Sequence, residues 1–184
     1  MPATPPRGFV RSLLWITSTT LAIVVLAFLS LLITSDGLTS DQQQLVTEAI
    51  TVVERGGFEQ EARVLRRVVF YRSSDNWWNK HVGHQNAYAA TNFPFAVVTL
   101  YPAFFKFPVD DTERAAILLH ESHHVFGADE RTALQRVWLD KRRLGWTAQQ
   151  YSRTRVWRNT REWTKDAAAV LFQCGPDRQS DCVE

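Results

Sequence analysis

An uncharged apolar stretch, Leu13 to Ile33, divides the chain into two unequal parts. Its length matches the roughly 20 residues that an α-helix needs to cross a bilayer. The basic residues Arg7 and Arg11 precede this stretch, and the acidic residues Asp36 and Asp41 follow it. Positive charge tends to stay on the cytoplasmic side of a membrane. The pattern therefore predicts a cytoplasmic N-terminus and an exported remainder.

The predicted organisation has three parts: a cytoplasmic segment 1–12, a transmembrane signal anchor 13–33, and an extracytoplasmic domain 36–184, periplasmic or extracellular. A cleaved signal peptide with its cut near Thr34 and Ser35 is the main alternative. The apolar region is longer than the roughly 7–15 residues of a signal peptide, and Ile33 fits the required small residue poorly. A buried helix of a soluble protein is a third possibility, which the flanking charges disfavour.

The composition fits one folded domain and gives no indication of nucleic-acid binding. Of the 184 residues, 45% are hydrophobic and 22% are charged, which is typical of a globular protein. The formal net charge is only +2, and basic residues are interspersed with acidic ones rather than clustered. We therefore expect no nucleic-acid partner, and the apolar stretch predicts a membrane as one partner.

Hydrophobic periodicity and turn residues predict an α+β domain with a small sheet. The first helix begins with the capping-box spacing of Ser40 and Gln43. Helices are predicted over Ser40 to Arg55, Thr112 to Phe126, Asp129 to Arg143, and from Thr147 toward Phe172. Strands are predicted over Val64 to Arg72, although Glu59 to Arg67 could start helical, and over Phe95 to Phe105, with a long loop from Ser73 to Asn92 between them.

The helix predicted over Thr112 to Phe126 carries the candidate site. His120 and His124 lie four residues apart, which places both imidazoles on the same helix face. Imidazole nitrogen is a preferred zinc ligand, and two histidines at this spacing can share one ion. Glu121 follows the first histidine and is placed to act as a general base on a water molecule. This is an HExxH arrangement, and it predicts a Zn²⁺ site with Glu121 as the catalytic residue.

Read further, His120 to Glu130 has the form HExxHxxGxxE, which resembles the zincin-type zinc metallopeptidases. Metzincins have HExxHxxGxxH, and the deuterolysin-like aspzincins have an aspartate ligand after a following glycine. The resemblance implies a small zincin-like domain with an active-site helix and Glu130 as the third zinc ligand. It also implies hydrolysis of peptide bonds, and therefore a peptide or protein substrate as a partner. Two features differ from those families: the only methionine is Met1, so there is no Met-turn, and Ala133 stands at the aspzincin tyrosine position.

Other assignments of ligand and function remain open at this stage. Asp129 could replace Glu130, or Glu162 could be the third ligand in the manner of the gluzincins, with Asp166 four residues later. The domain could also be a non-catalytic zincin-fold module that binds a metal or a partner. A chance HExxH in an envelope protein and a hydrolase acting on a non-peptide amide are further alternatives.

The zincin resemblance also implies a strand beside the active-site helix that binds substrate backbone, for which Phe95 to Leu100 is the candidate. Side chains that could stabilise an oxyanion are His81, His84, Tyr88 and Tyr101. His123 is expected to be exposed or to lie beside the ligands. The tryptophans Trp138, Trp146, Trp157 and Trp163 are expected to pack in the core.

The two cysteines lie close together near the C-terminal end of the sequence. Cys174 and Cys182 are separated by a turn-like segment that contains Gly175 and Pro176. Disulfides form in oxidising compartments, so an exported domain predicts that this pair is bonded.

Overall fold

The protein has a mixed, helix-rich α+β fold with one long N-terminal apolar helix and a small sheet. A computed structural model describes residues 7–81, 87–175 and 180–183. The helices are α1 Arg7–Ile33, α2 Ser40–Arg55, α3 Glu59–Arg67, α4 Pro102–Lys106, α5 Asp111–Val125, α6 Glu130–Asp140, α7 Ala148–Tyr151 and α8 Arg155–Ala167. The strands are β1 Phe70–Arg72, β2 Ala89–Asn92 and β3 Val97–Leu100, and 3-10 turns cover Asn79–His81 and Ala169–Phe172.

The sheet has the order β1-β3-β2, so β3 is its central strand. β1 runs parallel to β3, and β2 runs antiparallel to it. The predicted strand Phe95 to Phe105 is shorter in the structure, because Pro102 starts helix α4, where a proline fits the first turn. The segment predicted as a long loop contains β2 at its end. The strand predicted over Val64 to Arg72 is shortened to Phe70–Arg72, and the stated alternative of a helix over Glu59 to Arg67 is confirmed.

Helix α3 occupies the first part of that predicted strand. It buries Ala62 and Leu65 on one face. Acidic residues lie in its first turn and basic residues in its last, an arrangement that favours a helix through its dipole. The β-branched residues Val64 and Val68 suggested a strand, but burial at helical spacing decides the local structure. Only Phe70–Arg72 is extended.

Helix α5 is the centre of the domain. Ala115, Leu118 and Leu119 are fully buried, and the helix packs against α2, α6 and β2. Each large apolar side chain buried in this way contributes about 1.5–3 kcal/mol. Asp110 caps the helix by accepting hydrogen bonds from the backbone N–H groups of Thr112 and Glu113. The fold therefore holds the candidate site on its central, buried and capped helix.

The predicted helices α2, α5 and α6 are confirmed, with changes at their ends. The capping box of α2 is formed by Thr39 and Gln42, one residue earlier than predicted. The single helix predicted from Thr147 toward Phe172 is wrong. It is broken after α7, and α8 starts again with Thr154 as its N-cap, whose hydroxyl accepts a hydrogen bond from the Trp157 N–H.

The predicted disulfide between Cys174 and Cys182 is confirmed, with an S–S distance of 2.14 Å and Cα atoms 5.1 Å apart. Between the two cysteines, Asp181 points into the domain. Its carboxylate accepts hydrogen bonds from Lys141 Nζ and from the Trp138 indole N–H, both at 3.0 Å. The disulfide loop is therefore attached to α6 through a buried ion pair.

The end of α1 is docked firmly on the domain by Arg72 of β1. The Arg72 guanidinium donates to the Leu32 carbonyl at 2.7 Å, to the Ser35 hydroxyl at 2.9 Å and to the Ser35 carbonyl. These are the unpaired carbonyls at a helix C-terminus, where a cation is favourable. Leu31 and Ser35 are buried by this contact.

Helix α1 is long and apolar enough over Val10–Ile33 to cross a membrane, judged by length and composition. Most of its large apolar side chains are exposed in the isolated protein, including Leu14, Trp15, Ile16, Leu21 and Leu26. An exposed apolar surface of this extent indicates contact with lipid or with another protein.

Candidate metal centre

Helix α5 and the turn that follows it bring three potential ligands together. His120 and His124 lie on one face of α5, with ring centroids 4.7 Å apart. Gly127 ends the helix with φ of 85°, a conformation that favours glycine. The chain then reverses, and Glu130, the first residue of α6, points back at the two histidines. The His120, His124 and Glu130 group could hold a metal ion.

The spacing of the donor atoms fits one small ion. His120 Nε2 and His124 Nε2 are 3.0 Å apart, and Glu130 oxygens lie 3.0 Å from His124 Nε2 and 3.5 Å from His120 Nε2. For tetrahedral zinc with ligands at about 2.0–2.1 Å, neighbouring donors are about 3.3 Å apart. Two imidazoles and one carboxylate are also a donor set that zinc accepts in sites with an open position.

His124 is oriented by the backbone of the turn. Its Nδ1 lies 2.9 Å from the Ala128 carbonyl, so Nδ1 carries the proton and Nε2 is left for the cluster. The turn itself is fixed because the Ala128 N–H donates to the His123 carbonyl at 2.9 Å. The segment from His123 to Ala128 thus shapes the turn and sets the tautomer of one candidate ligand.

The electrostatics of the cluster favour an anionic Glu130 and a cationic His124 in the metal-free protein. Hydrogen bonds from His120 and His124 hold the pKa of the Glu130 carboxyl far below its usual range, against the effect of burial. Burial disfavours the charged form of His124. The hydrogen bond with Glu130 and the charge of Glu121 outweigh it, and the pKa of His124 is raised to about 9. A cation attracted to this site competes with that proton.

Glu121 is buried next to the cluster, and its carboxylate has a partner that sequence reasoning missed. The Thr91 hydroxyl on β2 donates to Glu121 Oε2 at 2.7 Å. Thr91 is 30 positions away in the chain and belongs to a segment predicted as loop, so no local pattern indicated it. This bond holds the Glu121 carboxylate at the wall of the cleft described next.

An open cleft of about 910 Å³ runs past His120, Glu121, His124 and Glu130. One wall is edge strand β2, and the other walls come from α5, α6 and α8. The cleft is lined mainly by apolar side chains away from the ligands. These are Ala89, Ala90, Phe93, Ala116, Ile117, Leu134, Val137 and Trp163.

The two alternative third ligands, Asp129 and Glu162, lie outside the group of donor atoms formed by His120, His124 and Glu130. Asp129 is the N-cap of α6, and its carboxylate accepts a 2.9 Å hydrogen bond from the Thr132 N–H. Glu162 lies on α8 and pairs with Arg161 at 3.0 Å. Asp166 lines the cleft, but among the described residues the donor cluster contains only His120, His124 and Glu130.

Of the four candidates for oxyanion stabilisation, the structure places Tyr88 at the cleft and Tyr101 away from it. Tyr88 lines the cleft, and its hydroxyl oxygen accepts a 2.9 Å hydrogen bond from the Asn159 side chain. Tyr101 donates to Asp75 at 2.7 Å and does not line the cleft. His84 and the side chain of His81 lie outside the described residues.

Two further predictions about the surroundings need correction, and the position of His123 is decided between its two alternatives. His123 is buried and not exposed, and burial together with the charge of Arg136 lowers its pKa to about 4. Trp163 lines the cleft instead of packing in the core, whereas Trp138, Trp146 and Trp157 are buried as expected. The strand beside α5 at the site is β2, because β3 is covered on both edges by β1 and β2.

No protein-family model matches the chain, and neither a curated protein nor a solved structure matches it.

Proposed function

We propose that this protein is a membrane-anchored zinc-dependent peptidase. The observation that carries the proposal is the convergence of His120, His124 and Glu130 on one point beside a buried, hydrogen-bonded Glu121, at the wall of an open cleft. A purely structural metal site is usually closed by four protein ligands, whereas a catalytic site keeps one position open. Three protein donors at the edge of an open cleft are the arrangement expected of a catalytic metal site.

Each residue has a defined role in this proposal. His120, His124 and Glu130 hold the ion. Zinc, when bound, lowers the pKa of the attacking water and polarises the scissile carbonyl. Glu121 accepts the proton of that water as general base and returns it to the leaving amine. Thr91 keeps the carboxylate of Glu121 in the orientation that this transfer needs.

Strand β2 offers a way to bind the substrate backbone. It pairs with β3 along one edge, and its other edge borders the cleft. An extended peptide can add to such an edge through main-chain hydrogen bonds. The peptide would then lie across Thr91 and past Glu121, with its side chains directed alternately toward and away from the cleft.

The anchoring part of the proposal rests on α1 and on the disulfide. The helix Val10–Ile33 is long enough to span a bilayer, and the Cys174–Cys182 bond indicates an oxidising compartment for the domain. The segment around Thr34 and Ser35 is held by Arg72 and by the Trp77 N–H, which favours an uncleaved anchor. The charges flanking the helix favour a cytoplasmic N-terminus.

The test uses the full-length protein in detergent, loaded with zinc and incubated with a peptide library. We expect about one zinc per chain and cleavage products that Glu121→Gln abolishes, with a loss of about 100-fold or more, while zinc is retained. Glu162→Gln is the matched control, because it neutralises an exposed carboxylate outside the cluster. Zinc binding without any cleavage, unchanged by Glu121→Gln, would instead support a non-catalytic metal-binding module.

A further inference from the structure

Exposed aromatic side chains occur on β1, on the loop that follows it and on the turn between β2 and β3, and each of these segments contacts the end of α1. Phe70 is 50% exposed, Trp77 43%, Trp78 54% and Phe93 63%. We refer to these four residues as the aromatic face. Large aromatic side chains are costly to leave in water, and tryptophan is enriched where protein meets the headgroup layer of a membrane.

Direct contacts join the aromatic face to α1. The Phe28 ring lies 5.3 Å from the Phe70 ring and 5.9 Å from the Phe95 ring. The Trp77 indole N–H donates to the Ser30 hydroxyl at 2.9 Å, and the Trp77 and Trp78 rings are 5.5 Å apart. Phe70 and Trp77 are therefore held directly on the apolar helix, Trp78 packs on Trp77, and Phe93 is two residues before Phe95.

A buried network of hydrogen bonds holds the loop that carries Trp77 and Trp78 in place. The Asn76 amide oxygen accepts hydrogen bonds from the Trp78 and Asn79 N–H groups, and its amide nitrogen donates to the Asn92 side chain at 2.9 Å. Asn92 belongs to β2, the strand that borders the cleft. The orientation of Trp78 is thus tied to the cleft wall as well as to α1.

The depth of these contacts along α1 places the face near a membrane surface. Phe28 precedes Ile33 by five residues, which is about 7.5 Å of helix. The headgroup layer of each leaflet is about 5–7 Å thick. Side chains that touch Phe28 and Ser30 therefore lie within about 7.5 Å of the outer end of the apolar span, close to the border between hydrocarbon and headgroups when α1 spans the bilayer.

The cleft opens close to the same surface. Phe93 is part of the aromatic face and also lines the cleft, two residues before Phe95, which packs on Phe28. The Phe93 ring also approaches the turn of the metal cluster, where a Cβ on Gly127 would lie 3.6 Å from it. One hairpin thus connects the anchor, the aromatic face and the candidate ligands.

We propose that the aromatic face is embedded in the outer headgroup layer of the membrane that α1 enters, so that the cleft opens at the bilayer surface. Its substrates are then apolar segments of membrane-anchored polypeptides at the point where they leave the bilayer. The apolar lining contributed by Ile117, Leu134, Val137 and Trp163 matches such segments. The location of the face is independent of the chemistry, whereas the substrate class rests on the proposed peptidase function.

The location is tested with the full-length protein in phosphatidylcholine vesicles. An environment-sensitive fluorophore is attached at Phe93→Cys or, as a control, at Val109→Cys. Both side chains are 63% exposed, and Val109 lies at the opposite end of α5 from Gly127. Lipids with a nitroxide near the headgroup should quench the probe at position 93 at least about threefold more strongly than the probe at position 109.

Equal, weak quenching at both positions would overturn the location. A probe at position 93 that is shielded from water but not quenched by lipid would overturn it too, since the face would then be covered by protein. Zinc content and thermal unfolding of both labelled proteins check that the fold is intact. None of these results depends on catalysis, so a failed location and a failed peptidase function are distinguishable.

The substrate class is tested with peptides fused to a transmembrane helix in the same vesicles. The cleavable apolar segment is placed about five residues from the helix or beyond a flexible spacer of about thirty residues. We expect the short spacer to be cleaved at least about tenfold faster, because only that peptide presents its segment at the height of the cleft. Faster cleavage with the long spacer would overturn the proposal while leaving the peptidase function established.

Discussion

Thr91 and Glu121 are joined by a 2.7 Å hydrogen bond between a hydroxyl on the edge strand and a carboxylate on the central helix. Thr91→Val removes this bond with almost no change of shape. We expect peptide cleavage to fall by about 10–100-fold with zinc content unchanged, since groups that orient catalytic side chains have effects of this size. Kinetics on a defined peptide, with zinc measured in parallel, checks this.

Thr47→Val is the control for that variant. It removes a hydroxyl that donates only to the Gln43 carbonyl within α2, remote from the cleft. An equal loss of activity in the two variants would mean that the threonine hydroxyl on β2 has no special role.

Glu130 and its neighbour Asp129 should respond differently to removal. Glu130→Ala deletes a candidate ligand, and we expect zinc affinity to fall by more than about 100-fold in a protein that still folds. Asp129→Ala deletes the N-cap of α6 and should cost about 1 kcal/mol of stability while zinc is retained. Zinc titration and chemical unfolding of both variants decide which residue is the ligand. Loss of zinc affinity in Asp129→Ala, with zinc retained in Glu130→Ala, would make Asp129 the ligand.

Zinc binding should depend on pH through His124. Its pKa is raised to about 9 in the metal-free protein by Glu130 and Glu121, against the effect of burial. Zinc must displace this proton, so affinity should rise about tenfold per pH unit from about pH 6 to about pH 8. Calorimetry in buffers of different ionisation enthalpy should show at least one proton released per zinc.

The raised pKa of His124 should make the metal-free protein less stable as the pH rises, whereas zinc binding becomes stronger. A raised histidine pKa contributes stability that is fully present below about pH 6.5 and is lost as the pH rises to about 9. Thermal unfolding of the metal-free and zinc-loaded proteins should therefore diverge as the pH rises. Parallel pH profiles would contradict a protonated His124.

Asp181 should matter for stability far more than a surface carboxylate in an ion pair. Its side chain and that of Lys141 are both buried, and removing one member of a buried pair costs about 3–5 kcal/mol. We expect a loss of that order in Asp181→Ala, measured by urea unfolding with the disulfide intact. Glu54→Ala, which breaks the exposed pair with Arg66, is the control and should change little.

The sequence predicted the elements whose signals are local. Asp110 and Gly127 mark the ends of the central helix, and the spacing of His120 and His124 predicted a shared face that the structure confirms. Glu130 could be placed only as one of three alternatives, because the path of the chain after Gly127 depends on how α6 packs.

The errors arose where distant contacts decide the structure. The local pattern around Leu65 fits a strand and a helix, and the helix is decided by burial of Leu65 on one face of α3 against neighbours from other elements. Thr91 and Trp163 reach the cleft through the tertiary fold, from 30 and 42 positions away from Glu121 respectively. No periodicity in a single segment contains that information.

The clamp formed by Arg72 on the Leu32 and Ser35 carbonyls has a mechanical consequence. A transmembrane helix tilts by an amount that depends on bilayer thickness. Because the clamp holds the end of α1 on β1, the domain turns with the helix. For a chain anchored as proposed, lipid composition therefore sets the angle at which the cleft faces its substrates.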